Sequence, residues 1–319
     1  MSHQRPERER GPAAHAAVAT AALCAVLAAV LMAVGLAACG SDEAGGAPAS
    51  PASAPPSDPG LSPEPVPGQA GGSPSGSSGA PVVYLLGGSS ARECVVGNAS
   101  WSAELGRLLG CNVRAVDLGA TTQSYTADLR YVRAMDEGPA LVVIGVGLGR
   151  YTSPPPPGLA DKRLTPPLEQ ALAGELEVEH AYAEGQVKSD EDKERLLDLW
   201  LAERYPLFRR NYGANLAELE RLLGECHQRG LRAVLLELPL NLEIVGDRLD
   251  APRETVVQDS RRLATRFQIP FVSFVDELGL SNADFVDLMH LDAPARVEWQ
   301  RRLSREVVRL LRTYDLAPG

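Results

Sequence analysis

Short apolar runs alternate with amphipathic stretches along the chain from Val82 onward. A run of four to eight apolar residues between turn-forming residues is typical of a buried strand, and the amphipathic stretches are typical of helices. The predicted strands are Val82–Leu86, Val113–Leu118, Leu141–Val146, Leu231–Leu238 and Pro270–Val275. This alternation predicts an α/β fold, a doubly wound three-layer sandwich with a mostly parallel five-stranded sheet.

Three of the predicted helices have recognisable limits. They span about Ser100–Gly110, Ala214–Arg229 and Pro294–Arg312, and glycines mark the ends of the first two. In doubly wound sheets the ligand site forms at the carboxyl ends of the strands. The loops that follow the first four strands are therefore expected to hold the functional residues.

An insertion of about residues 149–211 separates the third strand from the fourth. It opens on Pro154–Pro157 and continues through an acidic section, and we expect it to contain helices. Because it leaves from the predicted active-site edge, one interpretation is a lid or substrate wall. The other is a solvated helical decoration.

The N-terminal residues are typical of an export signal, because three arginines precede an uncharged apolar stretch over residues 16–38. The segment Leu36–Cys39 resembles the lipobox of bacterial lipoproteins, in which the cysteine is diacylated and becomes the first residue of the mature chain. Residues 1–38 are thus predicted to be a signal peptide and Cys39 a lipidation site. The alternative is an uncleaved transmembrane helix. Both place the protein at the outer face of the cytoplasmic membrane.

Composition separates the next segment from the folded domain. Residues 41–80 contain nine Pro and eight Gly, a composition that buries too little apolar surface to offset its chain entropy. We predict a disordered stalk over residues 39–80 and a folded domain over residues 81–319. The net charge of −10 argues against a nucleic-acid partner, because phosphate-binding surfaces need clustered Lys and Arg.

Two segments carry candidate chemistry. Gly87–Ser89 follows the first strand, and its glycines permit the turn that points a serine Oγ into a cleft and its N–H towards an oxyanion. Ser90 is the alternative nucleophile if the turn is one residue out of register. Asp287 and His290 lie three residues apart, so that the carboxylate can hold Nδ1 while Nε2 takes the serine proton.

Together these segments resemble the SGNH, or GDSL-like, hydrolase family over about residues 81–314. Gly87–Ser89 is similar to the family's Gly-Asp-Ser block, with glycine in place of the aspartate. Asp117–Gly119 is similar to the glycine block, whose backbone N–H helps to bind the oxyanion. Asp287–His290 matches the Asp-x-x-His block.

The third family block departs from the pattern. The family usually has Gly-x-Asn after the third strand, with the asparagine donating to the oxyanion, whereas this chain has Gly145-Val146-Gly147. The resemblance implies an oxyanion site at Ser89, Gly119 and Gly147. Losing the asparagine donor costs about 10² to 10³ in turnover unless Gln123, Asn98 or another amide replaces it.

The resemblance implies an ester hydrolase or O-acyl transferase in which Ser89 is the nucleophile, His290 the base and Asp287 its partner. The expected substrates are acylated glycans or lipids of the cell envelope. No metal or other cofactor is expected, because the sequence has no CxxC or HExxH spacing. Two alternatives stay open: a degenerate SGNH domain that binds glycan or lipid without turnover, and a solute-binding lipoprotein, which would need two similar lobes.

Three cysteines remain after the signal and the lipidation site. A disulfide between Cys94 and Cys111 is one pairing open to them, with Cys226 left as a buried thiol.

Overall fold

A computed structural model describes residues 80–136, 140–156, 166–176, 180, 182 and 186–317. All of them belong to the unit Gly71–Gly319. The predicted signal peptide, the lipidation site Cys39 and the predicted stalk up to residue 79 lie outside the described residues. Within the described ranges, no helix is long and apolar enough to cross a membrane.

The centre of the fold is a sheet of five parallel strands in the order β2-β1-β3-β4-β5. The strands are β1 Val82–Leu86, β2 Arg114–Asp117, β3 Ala140–Val146, β4 Arg232–Glu237 and β5 Phe271–Val272. The chain runs from β1 to β2 on one side of β1 and then returns to β3 on the other side. The strand order therefore reverses between β1 and β3, and a cleft is expected outside their carboxyl ends. The predicted doubly wound α/β class is confirmed.

The two central strands are buried almost throughout. Four of the five residues of β1 and all seven of β3 are buried. A parallel sheet covered on both faces favours continuous apolar runs, which is why the sequence marks these strands clearly.

The prediction for the last strand was wrong in length. Only Phe271–Val272 pair with β4, whereas the prediction spanned Pro270–Val275. Phe274 is instead buried against Trp299 of the last helix, with the two rings edge to face and their centroids 5.7 Å apart. The apolar run is thus shared between an edge strand and the core beneath a helix.

Helices cover the sheet between and after the strands. The α-helices of the described ranges are α1 Ser89–Arg92, α2 Asn98–Leu109, α3 Tyr125–Ala134, α4 Pro166–Ala173, α5 Asp190–Leu199, α6 Tyr205–Gln228, α7 Leu242–Val245, α8 Asp250–Phe267 and α9 Ala293–Thr313. Helix α9 packs on α2, and α3 packs on α6. The first and last predicted helices agree with α2 and α9 to within two residues. The middle one begins earlier than predicted, at Tyr205, because a π-helical turn, Trp200–Arg204, joins α6 to α5.

Local signals explain two of these limits. Gly110 ends α2 in the left-handed conformation, with φ of 76°, which glycine adopts without strain. At the start of α9 the side chain of Asp292 accepts a hydrogen bond from the N–H of Ala295.

The described part of the insertion is helical, as expected. It contains a 3₁₀ turn, Leu148–Tyr151, followed by α4, α5, the π-helical turn and the first residues of α6. Leu196, Leu199 and Trp200 of this region line the cleft described below, which favours the substrate-wall interpretation. The described residues form one sheet and not two lobes, which removes the main support for a solute-binding protein.

Candidate active site

The turn after β1 presents Ser89 at the start of the short helix α1. Gly87 and Gly88 make the turn, and a Cβ added at Gly87 would lie 2.4 Å from Cβ of Ala91. Carbon atoms do not approach this closely without displacement. Position 87 therefore needs a glycine for α1 to fold back over the end of β1.

Ser89 and His290 meet although they are 201 positions apart. The Oγ of Ser89 lies 2.8 Å from Nε2 of His290, and Nδ1 of the same ring lies 2.9 Å from both carboxylate oxygens of Asp287. A hydroxyl, an imidazole and a carboxylate in this order form the arrangement that activates a serine nucleophile. The structure thus brings together the three residues that the sequence singled out.

Backbone amides hold the carboxylate of Asp287. Its Oδ1 accepts hydrogen bonds from the N–H groups of Met289 and His290, at 2.9 and 3.0 Å. Burial by itself raises the pKa of this carboxyl, but the hydrogen bond and charge of His290 outweigh burial, and the pKa is lowered to about 2. Asp287 is therefore ionised throughout the neutral range.

Tyr182 is a site residue that the sequence analysis missed. Its hydroxyl donates to Oδ2 of Asp287 at 2.8 Å, and its ring lies edge to face with the ring of His290 at 5.4 Å between centroids. Burial, together with the charge of Asp287, raises the pKa of Tyr182. A single tyrosine in the insertion carries no sequence signal of this contact.

The expected oxyanion donors are only partly in place. Gly147 lies in the wall of the cleft that holds Ser89. The N–H of Gly119, however, donates to Oδ1 of Asp117 at 2.8 Å, so the amide that the resemblance assigned to the oxyanion is already occupied. The side chain of Asp117 folds back over its own loop and takes this donor. Burial raises the pKa of Asp117 to about 7, although the hydrogen bond from Gly119 lowers it.

Both amides considered as substitutes already make hydrogen bonds within the protein. Nδ2 of Asn98 donates to the carbonyl of Leu176 at 3.1 Å, and Oδ1 of Asn98 accepts from the N–H of Asp117 at 2.8 Å. Nε2 of Gln123 donates to Oδ1 of Asp128. Asn98 does not line the cleft, whereas Gln123 does, and its amide keeps a second N–H beyond the one that Asp128 accepts.

A cleft of about 440 Å³ opens beside Ser89 and His290. Away from these residues its wall is largely apolar and includes Leu196, Leu199, Trp200, Leu238, Leu240 and Val256. The charged side chains of Glu203, Arg204, Glu237 and Arg253 also contribute to the wall. Such a cleft suits a ligand with an apolar part and polar groups at defined points.

The remaining candidates from the sequence lie outside the contact between Ser89, His290 and Asp287. Cys94, Cys111 and Cys226 are free thiols, so the pairing of Cys94 with Cys111 does not occur in this structure. Ser90 also lines the cleft, but His290 contacts Ser89. In the described part of the chain, no three His, Cys, Asp or Glu side chains cluster as a metal site would require.

No family model and no curated protein matches the chain. Solved structures do match it. A catalytic mutant of the acetylxylan esterase Axe2 from Geobacillus stearothermophilus aligns with a TM-score of 0.45 at 13% identity, over 71% of this chain and 93% of that one. The psychrotrophic esterase EstA from Pseudoalteromonas aligns with a TM-score of 0.41 at 11% identity, over 72% and 98%. A GDSL-like lipase from Bacteroides thetaiotaomicron aligns with a TM-score of 0.37 at 12% identity, over 72% and 87%. These similar structures are thus of two esterases and a GDSL-like lipase.

Proposed function

We propose that the protein is a serine-dependent ester hydrolase or O-acyl transferase. The observation that carries this proposal is the continuous contact from Ser89 Oγ through His290 to the carboxylate of Asp287. The three side chains are joined by distances of 2.8 to 2.9 Å, and all of them line one cleft.

The reaction follows from this geometry in two steps. Ser89 Oγ forms a bond to the ester carbonyl carbon while its proton passes to Nε2 of His290, and the carbonyl oxygen becomes an oxyanion. His290 then returns the proton to the departing alkoxide, which leaves as the alcohol and gives an acyl-serine. In the second step water or a sugar hydroxyl loses its proton to His290 and attacks the acyl carbon. The bond from that carbon to Ser89 Oγ then breaks as His290 returns the proton to Oγ, which restores the serine. Asp287 stabilises the imidazolium that forms in both steps.

The substrate class that we propose is the acyl esters of cell-envelope glycan or lipid. The apolar wall of the cleft supports an acyl chain as the buried part of the substrate. The predicted export signal and the lipobox-like segment Leu36–Cys39 support a location on the outer face of the cytoplasmic membrane.

The direct test is hydrolysis of p-nitrophenyl acetate and butyrate by the purified protein beside its Ser89→Ala and His290→Ala variants. We expect turnover that disappears in both variants. Activity that is unchanged by either substitution would come from elsewhere and would overturn the proposal. Adding a sugar or glycerol acceptor to the same assay and measuring the acylated product separates transfer from hydrolysis.

A second candidate function is binding of an acylated glycan or lipid without turnover. The observation that favours it is the occupied N–H of Gly119, together with glycine in place of the asparagine donor. Saturable binding of an acylated oligosaccharide, with no Ser89-dependent product after long incubation, would favour this candidate.

A further inference from the structure

Arg150 is a buried cation at the catalytic end of the cleft. It lies in the 3₁₀ turn directly after β3 and lines the same cleft as Ser89 and His290. Its side chain is only 3% exposed. The reaction steps above give this residue no part, although burying a charge is unfavourable unless the charge meets partners.

Only one side of the Arg150 guanidinium is engaged. Nη2 donates to Oδ2 of Asp128, whose side chain has no exposure, and Cζ lies 4.1 Å from the centroid of the Tyr125 ring. Nε and Nη1 are buried and have no hydrogen-bond acceptor among the described residues. Buried N–H groups are rarely left without an acceptor. Within the described ranges Nε of Arg296 is unpaired as well, but Arg150 differs from it in lining the cleft that holds Ser89.

The guanidinium also approaches the turn that carries the nucleophile. A Cβ added at Gly87 would lie 3.5 Å from Nη1, and one added at Gly88 would lie 3.7 Å from Cδ of Arg150. These two glycines precede Ser89, whose own N–H would face the oxyanion. A fixed positive charge at this point acts in a water-poor site, where electrostatic stabilisation is stronger than in solvent.

We propose that Arg150 stabilises the oxyanion formed when Ser89 attacks an ester, in place of the absent asparagine amide. Nε and Nη1 are the guanidinium donors without an acceptor in the described part of the chain, and Asp128 holds the group through Nη2. Gln123, which donates to the same carboxylate, helps to hold Asp128 in place. This inference rests on the proposed function and concerns the transition state of that same reaction.

The test measures steady-state kinetics of p-nitrophenyl butyrate hydrolysis for Arg150→Met, Arg150→Lys and Arg150→Ala. We expect kcat of Arg150→Met to fall about 10² to 10³-fold with little change in KM, because the lost interaction is made only in the transition state. Arg150→Lys keeps the positive charge but not the planar set of donors, so its kcat is expected to lie between those of the wild type and Arg150→Met. Added guanidinium ion, well below denaturing concentration, should restore part of the kcat of Arg150→Ala, which a purely structural role would not produce.

Arg296→Met is the matched control. Arg296 is also buried, with 9% side-chain exposure, and is also paired with a buried carboxylate, that of Glu93, but it does not line the cleft. Both methionine variants should lose stability, and only Arg150→Met should lose kcat for the folded fraction. If Arg150→Met does not fold, the kcat of Arg150→Lys is the measurement that tests the role of Arg150.

The outcomes separate the two proposals. Unchanged kcat in the folded Arg150 variants, with turnover still dependent on Ser89, would overturn the role of Arg150 and leave the proposed function standing. A wild-type protein without any turnover that depends on Ser89 would overturn both.

Discussion

Replacing Gly87 by alanine tests how strictly the turn after β1 positions the nucleophile. The added Cβ would lie 2.4 Å from Cβ of Ala91, whereas a carbon–carbon contact needs about 3.5 Å. Helix α1 must therefore move by about 1 Å relative to β1, and Ser89 is its first residue. A misplacement of this size costs about 10² in rate, so we expect kcat/KM for p-nitrophenyl butyrate to fall about 10²-fold. The overlap should also lower the free energy of unfolding by about 1 to 3 kcal/mol.

Two further variants make this prediction specific. In Gly87→Ala combined with Ala91→Gly the overlapping methyl group is gone, so most of the lost rate should return. In Gly88→Ala the new Cβ would meet only Cδ of Arg150, at an ordinary 3.7 Å, and Gly88 has a φ of −79° that alanine adopts freely. This variant should lose less than about tenfold in kcat/KM. Equal losses at positions 87 and 88, or no recovery in the double variant, would refute the reasoning.

Three other substitutions test the carboxylates and the cleft. Asp287→Asn should lower kcat about 10⁴-fold, since the imidazole loses its ionised partner. Because folding lowers the pKa of Asp287 from 3.8 to about 2, its contribution to stability is present above pH 4 and lost as pH falls towards 2. Measured by urea unfolding, the free energy of unfolding should therefore fall less between pH 4 and pH 2 in Asp287→Asn than in wild type. Equal falls in the two proteins would contradict this prediction. Folding raises the pKa of Asp117 from 3.8 to about 7, so the stability that its protonated form contributes is present below pH 4 and is lost as the pH rises to 7. Asp117→Asn should then raise the free energy of unfolding at pH 8 more than at pH 4. The same urea titration would contradict this prediction if the increase were equal at the two pH values. Trp200→Ala removes part of the apolar wall of the cleft. The ratio of kcat/KM for octanoate esters to kcat/KM for acetate esters should therefore fall about tenfold. An unchanged ratio would exclude this wall from acyl binding.

The sequence predicted the central sheet well because burial on both faces leaves a local signature. Strand β1 was predicted with its observed limits, and β3 differs by one residue. The apolar pattern did not predict the length of the last strand. Phe274 and Phe271 belong to one apolar run, but only the second pairs in the sheet, and packing against Trp299 decides the difference. Such packing depends on a helix more than twenty residues away.

The sequence predicted some residues of the candidate site and missed others. Ser89, Asp287 and His290 were predicted because their neighbours encode a tight turn and a fixed spacing. Tyr182 and Arg150 have no such neighbours, since each reaches the site from the insertion or from the turn after β3. The occupied amide of Gly119 was also beyond the sequence, because it depends on the rotamer of Asp117.

The separation of Ser89 from His290 has a consequence for the order in which the protein is made. The nucleophile is synthesised 201 residues before the imidazole that activates it. At about 5 to 20 residues per second, the growing chain carries its serine for roughly 10 to 40 seconds before the base exists. The last helix follows the histidine directly, so the base is held in place only when translation is nearly complete. A nascent chain, or one truncated before His290, would therefore lack the base that the proposed mechanism requires.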